Sequence, residues 1–520
     1  MEEGEDPVRR PPRLLRRSPR RTPPTGAVPR ACEPDVGRNS AHAYEQVETS
    51  VTGGIALAER TSVAGPAAAE APADGQGVPN GITALAVAGF KSIHREQRLD
   101  IRPLTILAGA NSSGKSSIMQ PLLLLKQTLD ASYDPGPLLL DGPNVRFTSV
   151  RQVLARSRKG AAEEFRAAVG AVEDGEKREV EVGFGPNVAG QGFTLLHTVI
   201  SRRGTRLLLR PGPITRQDIA AFEPRWSTIL DLTTDTKFVA IADRCFLVPE
   251  LWQGNASKSF RGFGEAVVPM CARWIQETIH VPGLRGHPQR TYDIAAVGQR
   301  FAGTFERYVA SVIFRWKSGR DDLALHRLAE HLSLLGLTWT VDAAPVSDTA
   351  VEVLVGRLPR AARGSAHDLV SLADVGLGVS QVLPVLVALL AARPGQLVYL
   401  EQPELHLHPR AQFHLAGVLA EAAGRGVRVV AETHSAVLLR SIQTLVASGG
   451  LAPDLVRLHW FRRGADGATK VSSAAMDQTG AFGDWPEDFD EVAVDTERAY
   501  LDAVEQAQRN RMPRAGDNGD

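Results

Sequence analysis

Cysteine is scarce in this sequence of 520 residues. The three cysteines, Cys32, Cys245 and Cys271, lie far apart and form no C-x-x-C pair. This spacing argues against a disulfide framework and against a zinc site built from thiolates, and it fits a reducing cytoplasm. The chemistry of the protein must therefore rest on other residue types.

Long apolar runs and an excess of one charge are missing as well. The longest core-like apolar run, residues 382–392, is interrupted by Pro384 and is too short to cross a bilayer. The N-terminus has no apolar segment typical of a secretory signal. Lys+Arg and Asp+Glu both number 59, which argues against a surface built throughout to hold nucleic acid but allows a local basic patch. These absences predict a cytoplasmic protein with no membrane partner.

The chain divides by composition and pattern. Residues 1–80 are rich in Pro, Ala, Gly and Arg and have no apolar periodicity. We predict a disordered tail there, because such a segment buries too little surface to offset its ordering entropy. The other predicted divisions are the N-terminal part of a core domain at 81–145, an inserted α+β arm at 146–365, the C-terminal part of the core at 366–450, and a hairpin with a tail at 451–520.

Alternating strands and helices from residue 366 onward predict the fold class. The strand-like runs at 397–401 and 427–432 are largely apolar and lie between helix-like segments. Unbroken apolar strands are typical of a parallel sheet that helices cover on both faces. We therefore predict an α/β fold with a mainly parallel sheet, whose ligands bind at the carboxyl ends of the strands.

A glycine-rich motif follows the strand-like run at 102–110 and opens a helix. The segment GANSSGKSS matches the P-loop pattern G-x-x-x-x-G-K-[ST] in full. In such a loop, backbone N–H groups surround phosphate oxygens, the lysine neutralises the β and γ phosphates, and the serine hydroxyl ligates Mg²⁺. The predicted nucleotide-binding residues are Gly109, Asn111, Ser112, Ser113, Gly114, Lys115, Ser116 and Ser117.

Two further strands end in polar residues. The run LVYLE ends in Glu401, which we expect at the carboxyl edge of the sheet, where it would share Mg²⁺ with Ser116. The run GVRVVAETHS places His434 at the same edge. We predict that His434 contacts the γ-phosphate.

A second helix start of the kind that binds anions lies in LADVGLGVSQVLPVL. Gly376, Gly378 and Ser380 stand where this helix begins. One triphosphate does not need two such starts in one chain. The second start makes sense if it serves the nucleotide of another subunit, so the pattern predicts a dimer with composite sites.

The order of these motifs resembles the ATP-binding-cassette class of P-loop ATPases, and within it the RecF-like and OLD-like (overcoming lysogenization defect) cytoplasmic ATPases. The segments GVSQVLPVL, EQPELHLHPRAQ, ETHS and GDWPEDFDE resemble a bacterial AAA-type ATPase family with a C-terminal domain of unknown function. The resemblance covers residues 82–495. It implies a homodimer whose heads sandwich ATP and Mg²⁺, with a role in DNA maintenance or phage defence. It also implies a Q-loop glutamine, for which Gln152 is our candidate.

The segment EQPELHLHP departs from the cassette pattern. Gln402 takes the position at which that pattern has a catalytic glutamate, and residues 405–408 fall in the D-loop. Glutamine cannot accept a proton as a carboxylate does. Either ATP turnover is slow, or Glu404 substitutes as the base.

The same segment leaves a metal cluster as an alternative. His406 and His408 are two residues apart, which puts both imidazoles on one side of an extended segment, with Glu404 beside them. No motif nearby supplies a third ligand, and the D-loop interpretation uses the same residues.

Other function classes are weighed beside a slow ATPase. Gln402 favours a nucleotide sensor or scaffold with little hydrolysis that controls a partner effector. A GTPase is disfavoured because the chain has no [NT]-K-x-D motif: TDTK at 234–237 lacks the final acid. A kinase is disfavoured because it does not need the second helix start with its glycines and serine. The residues after His434 are too few for a nuclease domain beside the hairpin. The basic segment 281–292 could meet nucleic acid, a partner protein, or only the ATPase core.

Overall fold

The fold is described from a computed structural model of the chain. The structure describes residues 79–157, 160–187, 192–224, 236–253, 256–260, 267–358, 368–483, 498 and 501–504. The predicted disordered tail, residues 1–80, lies outside the described residues apart from Pro79 and Asn80. Within the described ranges, no helix is both long enough and apolar enough to cross a membrane.

A six-stranded sheet carries the predicted core motifs. In spatial order its strands are β14 (Ile279–Val281), β19 (Leu397–Glu401), β20 (Arg428–Thr433), β3 (Leu104–Gly109), β21 (Val456–Arg463) and β22 (Thr469–Ala475). The first five strands run parallel, and β22 pairs antiparallel with β21. The predicted α/β fold with a mainly parallel sheet is confirmed. The carboxyl ends of β3, β19 and β20 consequently meet at one edge.

Helices cover the parallel sheet on both sides. The helices of the described residues are α1 (Lys115–Asp130), α2 (Arg216–Phe222), α3 (Val267–Glu277), α4 (Val309–Ser318), α5 (Asp322–Leu334), α6 (Leu377–Ala391), α7 (Pro409–Gly424) and α8 (Ala436–Ala447). Short 3-10 helices lie at Val150–Gln152, Phe305–Tyr308, Leu372–Asp374 and Pro453–Leu455.

The sheet separates two apolar cores. Side chains alternate along each strand, so Val398 and Leu400 of β19 enter the core formed with α4 to α8. Leu397 and Tyr399 enter the opposite core, which α1 and α3 help to form. Such two-sided burial explains why these strands read as unbroken apolar runs.

A second six-stranded sheet is antiparallel and contains strands from both sides of the predicted division at residue 146. Its spatial order is β2 (Gln97–Asp100), β1 (Gly81–Ala88), β6 (Phe165–Glu173), β7 (Glu176–Pro186), β8 (Phe193–Arg202) and β9 (Thr205–Leu209). The predicted arm, residues 146–365, thus supplies four strands to the sheet that β1 begins, and β14 to the parallel sheet. The pairing with β6 satisfies an edge of β1 that would otherwise be exposed.

The remaining strands form smaller sheets. One comprises β10 (Gly212–Ile214), β11 (Thr236–Asp243), β12 (Phe246–Gln253) and β13 (Ala256–Phe260); another comprises β15 (Tyr292–Asp293), β16 (Val341–Ser347), β17 (Ala350–Gly356) and β18 (Leu369–Ser371); a third pairs β4 (Arg156–Ser157) with β5 (Gly160–Ala161). The predicted C-terminal hairpin falls on β21 and β22, which pair antiparallel. The division at residue 451 is not seen, because β21 pairs directly with β3.

Arg428 at the start of β20 joins the N-terminal strands to the parallel sheet. Its buried guanidinium donates to the backbone oxygens of Asn80 (3.0 Å) and Ile101 (3.1 Å) and also to that of Pro79. Burial lowers the pKa of Arg428 to about 10, so the group stays charged at neutral pH. A cation in this position satisfies three carbonyl groups at once.

Replacing Arg428 should destabilise the fold. Arg428→Met keeps the apolar stem but leaves the carbonyl groups without their donor, and we expect a loss of about 3 kcal/mol in the free energy of unfolding. Arg102→Met is the matched control, because Arg102 is half-exposed and pairs with Asp100 at the surface; it should change the free energy by less than about 0.5 kcal/mol. Urea unfolding of both variants decides. Equal effects would contradict the assigned role.

Candidate functional site

The P-loop has the backbone that its glycines predict. Strand β3 ends at Gly109 (φ 142°), and Gly114 (φ 106°) precedes the first residue of α1. A Cβ atom at Gly109 would come within 2.2 Å of the Phe461 oxygen, and one at Gly114 within 2.3 Å of Thr469 Oγ1. Left-handed backbone and close neighbours therefore both require glycine at these positions.

Lys115 is buried at the first turn of α1. Its ammonium donates to the backbone oxygens of Gly109 and Ala110, each at 2.9 Å. Burial lowers the pKa of Lys115, although the nearby carboxylate of Glu432 opposes this shift. The ammonium thus lies over the loop, where the P-loop pattern predicts it.

The carboxylate beside Ser116 belongs to Glu432. Ser116 Oγ donates to Glu432 Oε1 at 2.9 Å, and Tyr399 Oη donates to Glu432 Oε2 at 2.9 Å. Burial raises the pKa of Glu432, and the neighbouring charge of Glu401 adds to the increase. Sequence reasoning missed Glu432. A signal was present, because the acid of ETHS ends a buried strand just as the acid of LVYLE does.

Glu401 lies in register with Glu432 and has different hydrogen-bond partners. Its Oε2 accepts from the backbone N–H of Gly283 at 3.0 Å, and its Oε1 lies 3.1 Å from His280 Nε2. Burial pushes the pKa of Glu401 upward, but hydrogen bonds from His280 and Gly283 outweigh it and the pKa is lowered. The carboxylate in contact with Ser116 is thus that of Glu432, and the predicted metal-side role of Glu401 stays a prediction.

Asn144 fixes the tautomer of His280. Asn144 Nδ2 lies 3.0 Å from the Gly303 oxygen and 3.2 Å from His280 Nδ1. An amide nitrogen donates to both, so His280 Nδ1 accepts and Nε2–H donates to Glu401. The His280 ring also stacks on Tyr399, with ring centroids 5.5 Å apart.

A polar cavity of about 370 Å³ lies at the carboxyl edge of the sheet. The predicted residues that line it are Asn111, Ser112, Ser113, Gly114, Lys115, Ser116, Ser117, Gln402 and His434. Ser92, Glu432 and Arg463 also line it and were not predicted. Burial lowers the pKa of His434, and the charge of Lys115 lowers it further, so the imidazole is neutral at pH 7.

Gln152 lies outside this cavity lining, and so do Gly376, Gly378 and Ser380 at the second helix start, which we call the signature residues. The exposed Gln152 bonds to Thr148 through both amide atoms. Gly376 caps the exposed start of α6, next to Leu377, whose exposure is 43%. Ser380 is buried and donates to the Leu377 oxygen at 3.1 Å. The structure thus does not bring Gln152 or the signature to the P-loop of the same chain.

Glu404 contacts the backbone of His434 and does not line the cavity. Thr433 Oγ1 donates to Glu404 Oε1 at 2.6 Å, and the His434 backbone N–H lies 3.3 Å from the same oxygen. Burial raises the pKa of Glu404. A group held this way positions the T-H-S segment, so the suggested general-base role gains no support from its location.

The alternative of a histidine metal cluster gains no support either. His408 Nδ1 accepts from the Arg410 N–H and caps α7. In the part of the chain that the structure describes, no group of three or more His, Cys, Asp or Glu side chains could hold a metal ion. The D-loop interpretation of residues 405–408 stays a prediction.

The basic segment 281–292 contacts the core of its own chain. The buried Arg285 donates to the backbone oxygens of Glu401 (2.9 Å) and Gln402 (3.1 Å), and through its other nitrogen to that of Gln381 in α6 (2.9 Å). Arg290 forms a bidentate ion pair with Asp374, in which its two terminal nitrogens donate to the two carboxylate oxygens at 3.0 and 2.7 Å. These contacts hold the segment on the core of its own chain, and contact with nucleic acid or a partner protein stays a prediction.

A parallel sheet with a P-loop at the carboxyl end of β3 is typical of a P-loop nucleotide-binding fold. Residues 362–440 match a family described as "AAA domain, putative AbiEii toxin, Type IV TA system". The match spans the signature helix, β19 and the T-H-S segment.

Solved structures with a similar fold are head domains of SMC proteins. The SMC head bound to the C-winged helix domain of ScpA is 13% identical, covers 76% of this chain and 98% of its own, and has a TM-score of 0.43. The head from Thermotoga maritima is 12% identical, with coverage of 75% and 98% and a TM-score of 0.37. The Pyrococcus furiosus head with an extended coiled coil is 12% identical, with coverage of 82% and 100% and a TM-score of 0.42. No curated protein matches the chain.

Substitutions at Gln402 and Glu404 should separate water activation from positioning. Gln402→Glu puts a carboxylate into the cavity, and we expect ATP turnover to rise by about 100-fold, the lower end of the roughly 10²- to 10⁴-fold that general-base help is worth. Glu404→Gln retains an oxygen that accepts from Thr433, so turnover should stay within about threefold of wild type. Steady-state phosphate release measures both. A fall of about 100-fold in Glu404→Gln would restore Glu404 as the base.

Proposed function

We propose that the chain binds ATP with Mg²⁺ in the P-loop cavity and hydrolyses it slowly in the cytoplasm. The observation that carries this proposal is the convergence of Lys115, Ser116, Glu432 and His434 on one cavity, with Gln402 in place of an acid. The first four suit phosphate and metal recognition. The fifth leaves the cavity short of a free carboxylate base.

The chain's own groups would act on ATP in distinct ways. The ammonium of Lys115 neutralises charge on the β and γ phosphates, and the backbone N–H groups at the start of α1 bind their oxygens. His434, being neutral, donates one N–H to the γ-phosphate. Gln402 orients the attacking water through its amide but cannot take its proton. Slow turnover follows from that last limit.

The donor set fits Mg²⁺. Ser116 offers a hydroxyl oxygen, and Glu432 and Glu401 offer carboxylates at the same strand edge. Mg²⁺ prefers oxygen ligands and takes one or two carboxylates beside substrate phosphates. When bound, it neutralises charge that develops on the phosphates.

The signature favours a homodimer with shared sites. The start of α6, with Gly376 and Gly378, is exposed and lies outside the cavity of its own chain. A helix N-terminus with exposed N–H groups suits an anion. We propose that it faces the ATP held by the P-loop of a second copy, so that ATP closes the dimer.

The biological setting is part of the proposal. The matched family is described as a putative toxin of a type IV toxin–antitoxin system. We propose a role in phage defence or DNA maintenance, between which this description does not decide. Gln402 supports the second candidate, a nucleotide sensor that controls a partner effector with little hydrolysis. Phosphate release by the wild-type protein, measured over the time for which one ATP molecule stays bound, distinguishes the slow ATPase from the sensor.

Lys115→Ala should remove ATP binding. The variant loses the charge-assisted contacts to the phosphates, and we expect ATP affinity to fall by at least ~100-fold. Lys177→Ala, at an exposed position of β7, is the control and should bind as wild type does. Calorimetry of both, with melting curves to verify folding, provides the test. Undiminished affinity in folded Lys115→Ala would refute the proposal.

Complementation between two defective chains should reveal the shared site. Gly378→Asp places a carboxylate against the partner's phosphates and leaves the buried Ser380 in place. Mixed in equal amounts with Lys115→Ala chains, it should restore about one quarter of wild-type hydrolysis, because half of randomly paired dimers are mixed and each has one complete site. Each variant alone should be inactive. Lack of recovery, or a fully active Gly378→Asp chain, would argue for sites within one chain.

A further inference from the structure

The P-loop cavity has a second cation besides Lys115. Arg463, the last residue of β21, lines the cavity together with the loop residues 111–117. In the same lining, an ionised Glu432 offsets the charge of Lys115, and His434 is neutral at pH 7. The guanidinium of Arg463 therefore makes the lining positive, which favours an anionic ligand such as a polyphosphate.

Two hydrogen bonds hold the exposed Arg463 side chain beside the loop. Its Nε donates to the backbone oxygen of Gly467 and its Nη1 to that of Ser112, each at 3.0 Å. Within the described residues, Nη2 has no hydrogen-bond partner and no carboxylate forms an ion pair with the group. A guanidinium has five N–H donors in one plane, and phosphate oxygens accept from two of them side by side. The group is thus oriented at the loop and retains donors for a ligand.

Thr469 fixes the hairpin that carries Arg463. Its buried Oγ1 lies 2.8 Å from the backbone oxygen of Ser113 and 2.8 Å from Ser92 Oγ. A carbonyl oxygen only accepts, so the Thr469 hydroxyl donates to Ser113 and accepts from Ser92. The Thr469 N–H donates to the Ser92 oxygen at 2.7 Å, and β21 pairs with β3 along its length. Both strands of the hairpin are therefore attached to the P-loop or to its strand.

We propose that Arg463 is a nucleotide-binding residue whose guanidinium contacts the phosphates of ATP in the P-loop of its own chain, and that Thr469 positions it. This inference rests on the proposed function, ATP binding at the P-loop. The C-terminal hairpin thus supplies one wall of the nucleotide site in addition to two strands of the sheet.

Binding measurements on Arg463→Gln test the contact without measuring hydrolysis. ATP and inorganic triphosphate each compete with a fluorescent ATP analogue on the full chain in the presence of Mg²⁺. We expect Arg463→Gln to weaken both ligands by about 10-fold, because each loses a charge-assisted contact to phosphate. Lys470→Gln is the matched control, since Lys470 is an exposed cation of the same hairpin that does not line the cavity; it should bind both ligands within about twofold of wild type.

Salt dependence separates a phosphate contact from a purely structural role. Salt screens the attraction between an exposed cation and a phosphate, so ATP affinity of the wild type should fall more steeply with KCl than that of Arg463→Gln. Arg463→Lys keeps the charge and should keep the wild-type slope, although it loses the planar donor geometry. Thr469→Val removes the anchoring hydroxyl and no charge, so it should lower affinity with an unchanged slope. Melting curves verify that each variant folds.

The possible results lead to different conclusions. Wild-type affinity of folded Arg463→Gln for both ligands overturns the inference, and so does a loss that Lys470→Gln shares. A loss with the wild-type salt slope would mean that Arg463 only holds the Ser112 carbonyl group, and a loss confined to ATP would place Arg463 on the nucleoside; either result overturns the phosphate contact. Absence of ATP binding by the wild type defeats the proposed function itself, whereas the preceding results leave it standing.

Discussion

The site depends on the parallel, in-register pairing of β19, β20 and β3. Glu401 pairs with Glu432, and Glu432 with Leu107, so two acids end level with the strand that leads into the P-loop. Parallel strands deliver their carboxyl ends to one edge, where ligands of α/β sheets bind. A shift of one residue in any strand would turn its acid to the opposite face of the sheet. Register, more than any single contact, therefore brings a carboxylate to Ser116.

Segment 279–285 extends this arrangement beyond the three strands. Strand β14 pairs with β19, and the chain that follows supplies the Gly283 N–H and Arg285 to the end of β19. Through Gln381, Arg285 also holds the signature helix α6. Burial lowers the pKa of Arg285 to about 10, so it remains a cation among carbonyl oxygens at neutral pH. The strand end and the signature helix are thus attached to one buried side chain.

Sequence patterns predicted the P-loop, the polar strand ends and the parallel sheet, because glycine requirements and apolar runs are local properties. They did not predict which acid meets Ser116. That choice depends on the spatial order of strands, and β20 lies between two strands that are distant from each other in sequence. The pairing of β6 with β1 across the predicted division at residue 146 could not be predicted for a similar reason, because no local pattern reports which strand lies beside β1. Gln152 was chosen by position alone, and its amide bonds to Thr148.

In the proposed reaction, Gln402 limits the rate of hydrolysis in the cavity, because it stands where a carboxylate base is expected. Its backbone is left-handed (φ 45°), and its backbone N–H donates to the backbone oxygen of Glu432 at 2.8 Å. This bond fixes the turn after β19 to β20. The Gln402 side chain lines the cavity. Glu432 accepts hydrogen bonds from Ser116 and Tyr399, and Glu404 does not line the cavity, so under the proposed function neither carboxylate is placed to take a proton from the attacking water. ATP would then be bound firmly and cleaved slowly. A long-lived bound state suits a protein that signals ATP occupancy through α6 to a second copy or an effector.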